Sequence, residues 1–328
     1  MSSDLDRLSA GALGWLVRNL DYFDPYSASA RPLEHGKAKA ALELALLCHC
    51  WARLGDEDDA RLGKATAVVR TVWQHPDFPR LITGSPRYAA QYALVYAALA
   101  PDGIDDTQCR AGLARLTDDD LSPRGKSPYQ RLEFRYYADK AGVRHTIEPY
   151  EELAGQNVLV TLAAAAPGTD RPDQADQPAP GDAPPDSTAS DDAPPVTIAE
   201  AYGITHSAFY FSDFGRTGPA LSDDAVAGAT ELVRRTLEYC VRHDWWDLVA
   251  ELVMTQACLG ADPLRTPLGV AAVECLARAQ RPDGAIPGRS ASTRATAAEP
   301  AGAFFEKAYH TTLVTALMSL AVSSARAS

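Results

Sequence analysis

The sequence predicts an all-α fold, a two-layer α/α helical array, on three observations. Apolar residues recur at three- and four-residue spacing, as in Leu5, Leu8, Leu13, Leu16, Val17 and Leu20, the period of a helix with one buried face. Alternating β-branched runs of useful length are missing, and 157–162 is one short candidate strand. Segments 92–100, 251–259 and 313–322 are apolar nearly all round, as in helices of an interior layer.

The elements follow from these patterns. The first stripe stops before Asp21-Tyr22-Phe23-Asp24-Pro25, and a second runs through Leu42, Leu44, Leu47, Trp51 and Leu54 towards Gly55, a residue suited to a helix end. Further helices are expected at about 59–75, 87–99, 105–116, 128–141, 223–243, 245–260, 267–280 and 304–323. Ser222 can cap the helix that starts with Asp223-Asp224, its hydroxyl accepting from free amides of the first turn. Asp118-Asp119-Asp120 reads as a solvated loop or cap, because consecutive residues on a helix fan out by about 100°. Residues 1–165 and 197–328 are expected to be halves of one array. Between them, 166–196 is rich in Pro, Asp, Ala, Gly, Ser and Thr, with almost nothing to bury, and is expected to be disordered.

Charge removes some classes of function. Lys+Arg 31 against Asp+Glu 43 leaves −12 over 328 residues, which lacks the cationic footprint that nucleic acid requires. Half of that charge, seven Asp and one Arg, lies in the acidic segment, so the folded remainder is only mildly acidic. No apolar run approaches the roughly 18 residues of a membrane span. The N-terminus lacks a basic and apolar leader, which points to the cytoplasm. The six cysteines contain no CxxC pair and are expected to be buried thiols. Cys48 and Cys50 would point about 200° apart on a helix, too divergent for one ion.

Three clusters carry possible chemistry. In the aromatic-rich stretch 201–215, His206, Tyr210 and Asp213 fall at i, i+4 and i+7, one face of a continuous helix. There Asp213 would orient a general acid/base, with Tyr202 and Phe209 beside it as substrate contacts. Lys307, Tyr309 and His310 open the last apolar helix, where the dipole attracts anions and lowers a histidine pKa. His35 and Lys37 repeat that pairing at the start of the second helix. His35, His206 and His310 converging with Asp213 would make a metal site. The main expectation is chemistry without a cofactor, with His206, Tyr210, Asp213 and His310 as proton-transfer groups. Phosphate-binding, dinucleotide-binding, nucleophile-elbow and zinc-protease motifs are missing from the sequence.

Gln280-Arg281-Pro282-Asp283-Gly284-Ala285-Ile286 resembles the Q-x-x-D-G-x turn of (α/α)-toroid proteins, best known from triterpene cyclases. The match spans 266–310, lacks the aromatic at the final position, and is not accompanied by the cyclases' D-x-D-D acid motif. The resemblance implies a helical barrel with a central cavity, and it implies no particular reaction. Two functions are therefore expected as alternatives. One is an acid/base enzyme acting on a small molecule or peptide in that cavity. The other is a non-catalytic helical-repeat protein binding a peptide or protein on an exposed groove.

Overall fold

A computed structural model describes residues 2–27, 34–84, 88–164, 193–296 and 298–327, with the side chains at 2, 3 and 34–37 left out. The acidic segment falls outside the described residues apart from its last four positions, where Val196 is buried. Among the described residues there are fifteen α-helices and no strand. The first half holds α1 (Ser2–Arg18), α2 (Glu34–Leu54), α3 (Ala60–Gln74), α4 (Phe78–Thr83) and α5 (Ala89–Ala98). It continues through α6 (Thr107–Leu113), α7 (Asp118–Leu121), α8 (Pro128–Lys140), α9 (Tyr150–Gln156) and α10 (Val158–Ala164). The second half holds α11 (Ile198–Phe211), α12 (Asp223–Arg242), α13 (Trp246–Cys258), α14 (Pro267–Ala279) and α15 (Ala301–Ala327). None of these is long and apolar enough to cross a membrane.

Local chemistry starts these helices where expected. Ser222 accepts from Ala225 N–H at the head of α12. Thr117 and Asp120 cap each other's backbone across α7, so the triple aspartate is a cap. Asn157 overturns the candidate strand: its buried side chain accepts from Leu159 N–H and its carbonyl accepts from Thr161 N–H. Those two bonds nucleate α10 from residues whose β-branching alone suggested an extended chain. All six cysteines are free and buried.

Packing separates an inner from an outer layer. Every residue of α13 is buried, as is α15 from Leu313 to Val322. Contacts run from α2 to α5, α5 to α8, α8 to α11, α11 to α13, α13 to α15, and from α15 back to α2. The six form a closed ring. Outside it, α1 packs on α15 and α14, α3 on α2, α10 on α11, and α12 on α13. A single continuous apolar core, from Leu5 to Val322, joins residues of both halves.

The turn at 280–286 locks the first helix against this assembly. Gln280 Nε2 donates to the carbonyls of Leu8 in α1 and of Gly284. Gly284 has φ +94°, and a Cβ there would lie 2.1 Å from the Gly11 carbonyl oxygen. The position therefore excludes any side chain, for strain and contact together. Gly284→Ala is expected to destabilise the fold by about 3 kcal/mol or more, measured by urea unfolding; a wild-type midpoint would mean that α1 does not approach this turn.

Candidate functional site

The inner helices surround a cavity of about 570 Å³ that is open on one part of its boundary, within the usual size range of small-molecule sites. Its walls are mostly aromatic and aliphatic, with Tyr88, Tyr92, Phe209, Phe214, Leu313 and Leu317 among them. Carboxylate, imidazole or ammonium groups enter from every inner helix except α5, which contributes Tyr92, and Arg289 enters from the loop after α14. That loop is anchored beside the cavity by Asp247 N–H donating to the Arg289 carbonyl (3.0 Å).

His206 and His310 both line this cavity, as do Tyr202, Phe209 and Tyr210. The His206 imidazole meets the Tyr129 hydroxyl through Nδ1 (2.8 Å) and faces Glu251 Oε1 through Nε2 at 3.6 Å. Burial alone would push this histidine down, but the carboxylates of Glu251 and Glu133 raise it. His310 Nδ1 lies 3.1 Å from Glu43, and its Nε2 lies 3.7 Å from Asp247 Oδ2. Burial opposes its charge too, yet Glu43 and Asp247 lift its pKa to about 9. The expected lowering by a helix dipole is overturned. The last helix begins at Ala301, which places His310 in its third turn, beyond the reach of the first-turn amides.

Glu43 is the counterpart of that imidazole. Burial would raise its carboxyl, but His310 and Lys39 bring it down to about 2. Glu133, only 8% exposed, goes the other way: burial raises its pKa, and His206, Tyr210 and Gln91 only partly offset the rise. Its Oε1 accepts from the Tyr210 hydroxyl (2.9 Å) and from Gln91 Nε2 (2.8 Å). On α13, Asp247 and Glu251 are each 1% exposed. Asp247 accepts from the hydroxyls of Thr311 (3.0 Å) and Tyr202 (2.7 Å), and Glu251 accepts from Thr205 through Oε2. Asp247, Glu251 and His310 have ligand atoms within 4.8 Å of one another. They are the group of described residues that could hold a metal ion.

Other predicted residues lie elsewhere. Asp213 does not reach the cavity, because α11 stops at Phe211 and the chain turns through positive φ at Asp213 (48°) and Phe214 (59°). That turn swings the Phe214 ring back onto Phe209. The Asp213 carboxylate instead accepts from the Tyr136 hydroxyl (2.7 Å) and pairs with Lys140 (2.8 Å) and Arg216 (2.7 Å). It ties α8 to the end of α11 and orients no histidine. Lys307 pairs with Glu299 (2.9 Å) on the outer surface. Tyr309 stacks on Phe305 and hydrogen-bonds Glu43 from outside the cavity wall. Phe304 and Phe305 belong to an aromatic cluster with Trp15 of α1. The side chains of His35 and Lys37 lie outside the described residues. The metal set anticipated from histidines and Asp213 is therefore not the one assembled.

Four acidic residues escaped the sequence reading: Glu43, Glu133, Asp247 and Glu251. Their signal was present as single charges in apolar stripes, Leu42-Glu43-Leu44 and Ala250-Glu251-Leu252. A carboxylate on a face that must be buried requires a counter-charge, a proton or a ligand.

The fold and site define an all-helical protein with a partly open cavity lined by ionisable groups. The family model described as a domain of unknown function (DUF6895) matches residues 9–320, and the chain belongs to that family. No curated protein and no solved structure matches it.

Burial would raise the Asp213 carboxyl, but hydrogen bonds from Lys140, Tyr136 and Arg216 hold it well below its usual 3.8. Its contribution to stability is therefore full above about pH 4 and lost only in strong acid. Asp213→Asn is expected to cost about 2–3 kcal/mol at pH 7, with the difference from wild type shrinking as the pH falls below 3.8. Denaturant unfolding at several pH values checks this, and a pH-independent difference would contradict it.

Proposed function

We propose that this chain is an enzyme performing acid–base chemistry on a small, largely apolar molecule or a short peptide segment held in the ring cavity. The observation that carries the proposal is that His206 and His310, from helices far apart in sequence, line one cavity together with Glu43, Glu133 and Glu251. Scattered structural histidines would have no need of a shared hollow. The cavity is also polarised. Glu133, Tyr210 and Gln91 form one hydrogen-bonded polar group in its lining, Glu43 and His310 another, and aliphatic side chains of α2 and α15 line it as well.

In this reading Glu133 is the proton donor. A buried carboxyl whose pKa is raised holds its proton more tightly than a free one and is suited to protonate a bound molecule, and Tyr210 and Gln91 hold it in place. His206 faces the same space with Tyr129 fixing its ring. Phe209 and Phe214 exclude water from that side. The closed order of the inner helices supports a toroid-like architecture for the family. Free buried thiols support a reducing, cytoplasmic setting. The exposed-groove alternative draws less support: the exposed large apolar side chains among the described residues are Tyr26, Tyr88 and Ile198, which form no stripe on one helix.

Incubating the protein with a mixture of small apolar metabolites and short peptides, and following consumption by mass spectrometry, tests the proposal. Wild type is expected to deplete at least one compound, and Glu133→Gln to do so about 10²–10⁴-fold more slowly with an unchanged circular dichroism spectrum. Depletion by Glu133→Gln at the wild-type rate, or no compound depleted by wild type, would contradict it.

A further inference from the structure

We infer that Asp247, Glu251 and His310 form a binding site for one divalent first-row transition cation, opening onto the cavity. The inference goes beyond the acid–base reading and does not depend on it, since the site is judged by binding and not by turnover.

Four features of the geometry support it. First, the three donor groups converge within 4.8 Å from two adjacent inner helices. Asp247 and Glu251 stand one helical turn apart on α13, so both project to the same side, and His310 meets them from α15. Second, the Glu251 Oε1 atom is buried and accepts no hydrogen bond. In a residue 1% exposed, an orphan carboxylate oxygen is costly unless something charged occupies the space before it. His206 Nε2 faces it at 3.6 Å, within ion-pair range but beyond hydrogen-bond length, so the oxygen keeps its lone pairs for a ligand.

Third, His310 Nε2 and Asp247 Oδ2 are separated by 3.7 Å, beyond hydrogen-bond length. Two donors each about 2.1 Å from one tetrahedral cation are separated by roughly 3.4 Å, so small side-chain movements suffice to close on an ion. Fourth, the outer contacts are those a metal site needs. Glu43 takes the Nδ1 side of His310 and leaves Nε2 directed at the carboxylates, the arrangement that orients a ligating imidazole. Thr311, Tyr202 and Thr205 hydroxyls hold the remaining carboxylate lone pairs without exhausting them, because each oxygen accepts twice.

The ion displaces the proton from His310 Nε2 into solvent on binding, and the resulting set of two carboxylates and one neutral imidazole balances a divalent charge and suits zinc, manganese or iron(II) better than a soft monovalent ion. Three protein ligands leave a coordination position free for water or substrate.

Equilibrium dialysis of the full chain against micromolar Zn²⁺ and, separately, Mn²⁺, followed by elemental analysis, tests this directly. About one equivalent of at least one of these ions per chain is expected. Glu251→Gln and Asp247→Asn should each weaken binding by at least about 100-fold, and Glu43→Gln, which touches only the orienting contact, by about 10–100-fold. Circular dichroism establishes that each variant is folded, and Glu251→Gln decides if Asp247→Asn does not fold. Substoichiometric uptake of both ions by wild type, or wild-type affinity in folded Glu251→Gln, would overturn the site.

Discussion

Buried charge in the inner ring is the constraint on which the rest of this structure depends. A helix whose every face is covered, such as α13, can carry Asp247 and Glu251 only where their charges are answered. The answer comes from helices distant in sequence: His310 on α15, His206 on α11, and Thr205 and Thr311 as hydroxyl donors. Glu43 on α2 needs His310 in the same way. The ring must therefore close in one register, because sliding any of these helices by a turn would strand a carboxylate in apolar surroundings. Such networks are weak contributors to net stability and strong ones to uniqueness of arrangement when fully paired.

The outer layer makes that register permanent. Gln280 and Gly284 clamp the first helix against the turn that follows α14, and Trp15 stacks on Phe305 of the last helix. The N-terminal segment thus braces the helix that presents His310. Asp213 performs a similar service at the other end of the site, fastening α8, which carries Tyr129 and Glu133, to the end of α11, which carries His206. Residues that looked chemical in the sequence turn out to be the fastenings of the chemistry.

Helix positions were legible because periodicity is a local property. The expected boundaries for α3, α8, α12, α13 and α14 lie within one or two residues of those observed. Where a single side chain redirects the backbone, the period misleads. Asn157 turned a β-branched run into α10, and two left-handed residues, neither of them glycine, ended α11 before Asp213 could join the face of His206 and Tyr210. The site itself was half legible. His206, Tyr210, His310, Tyr202 and Phe209 stood out by type and spacing, whereas Glu43 and Glu133 are single acids between apolar neighbours, Leu42 and Leu44, Leu132 and Phe134, whose convergence only the assembled inner helices reveal. Nothing local in the chain says that α2 lies against α15.

That long-range pairing is the central claim, and a double-mutant cycle on Glu43→Gln and His310→Ala measures it most directly. If the two side chains answer each other across the ring, the stability changes will be non-additive, with a coupling energy of about 1–3 kcal/mol. Additivity to within about 0.5 kcal/mol would mean that the first and last inner helices do not meet at this site.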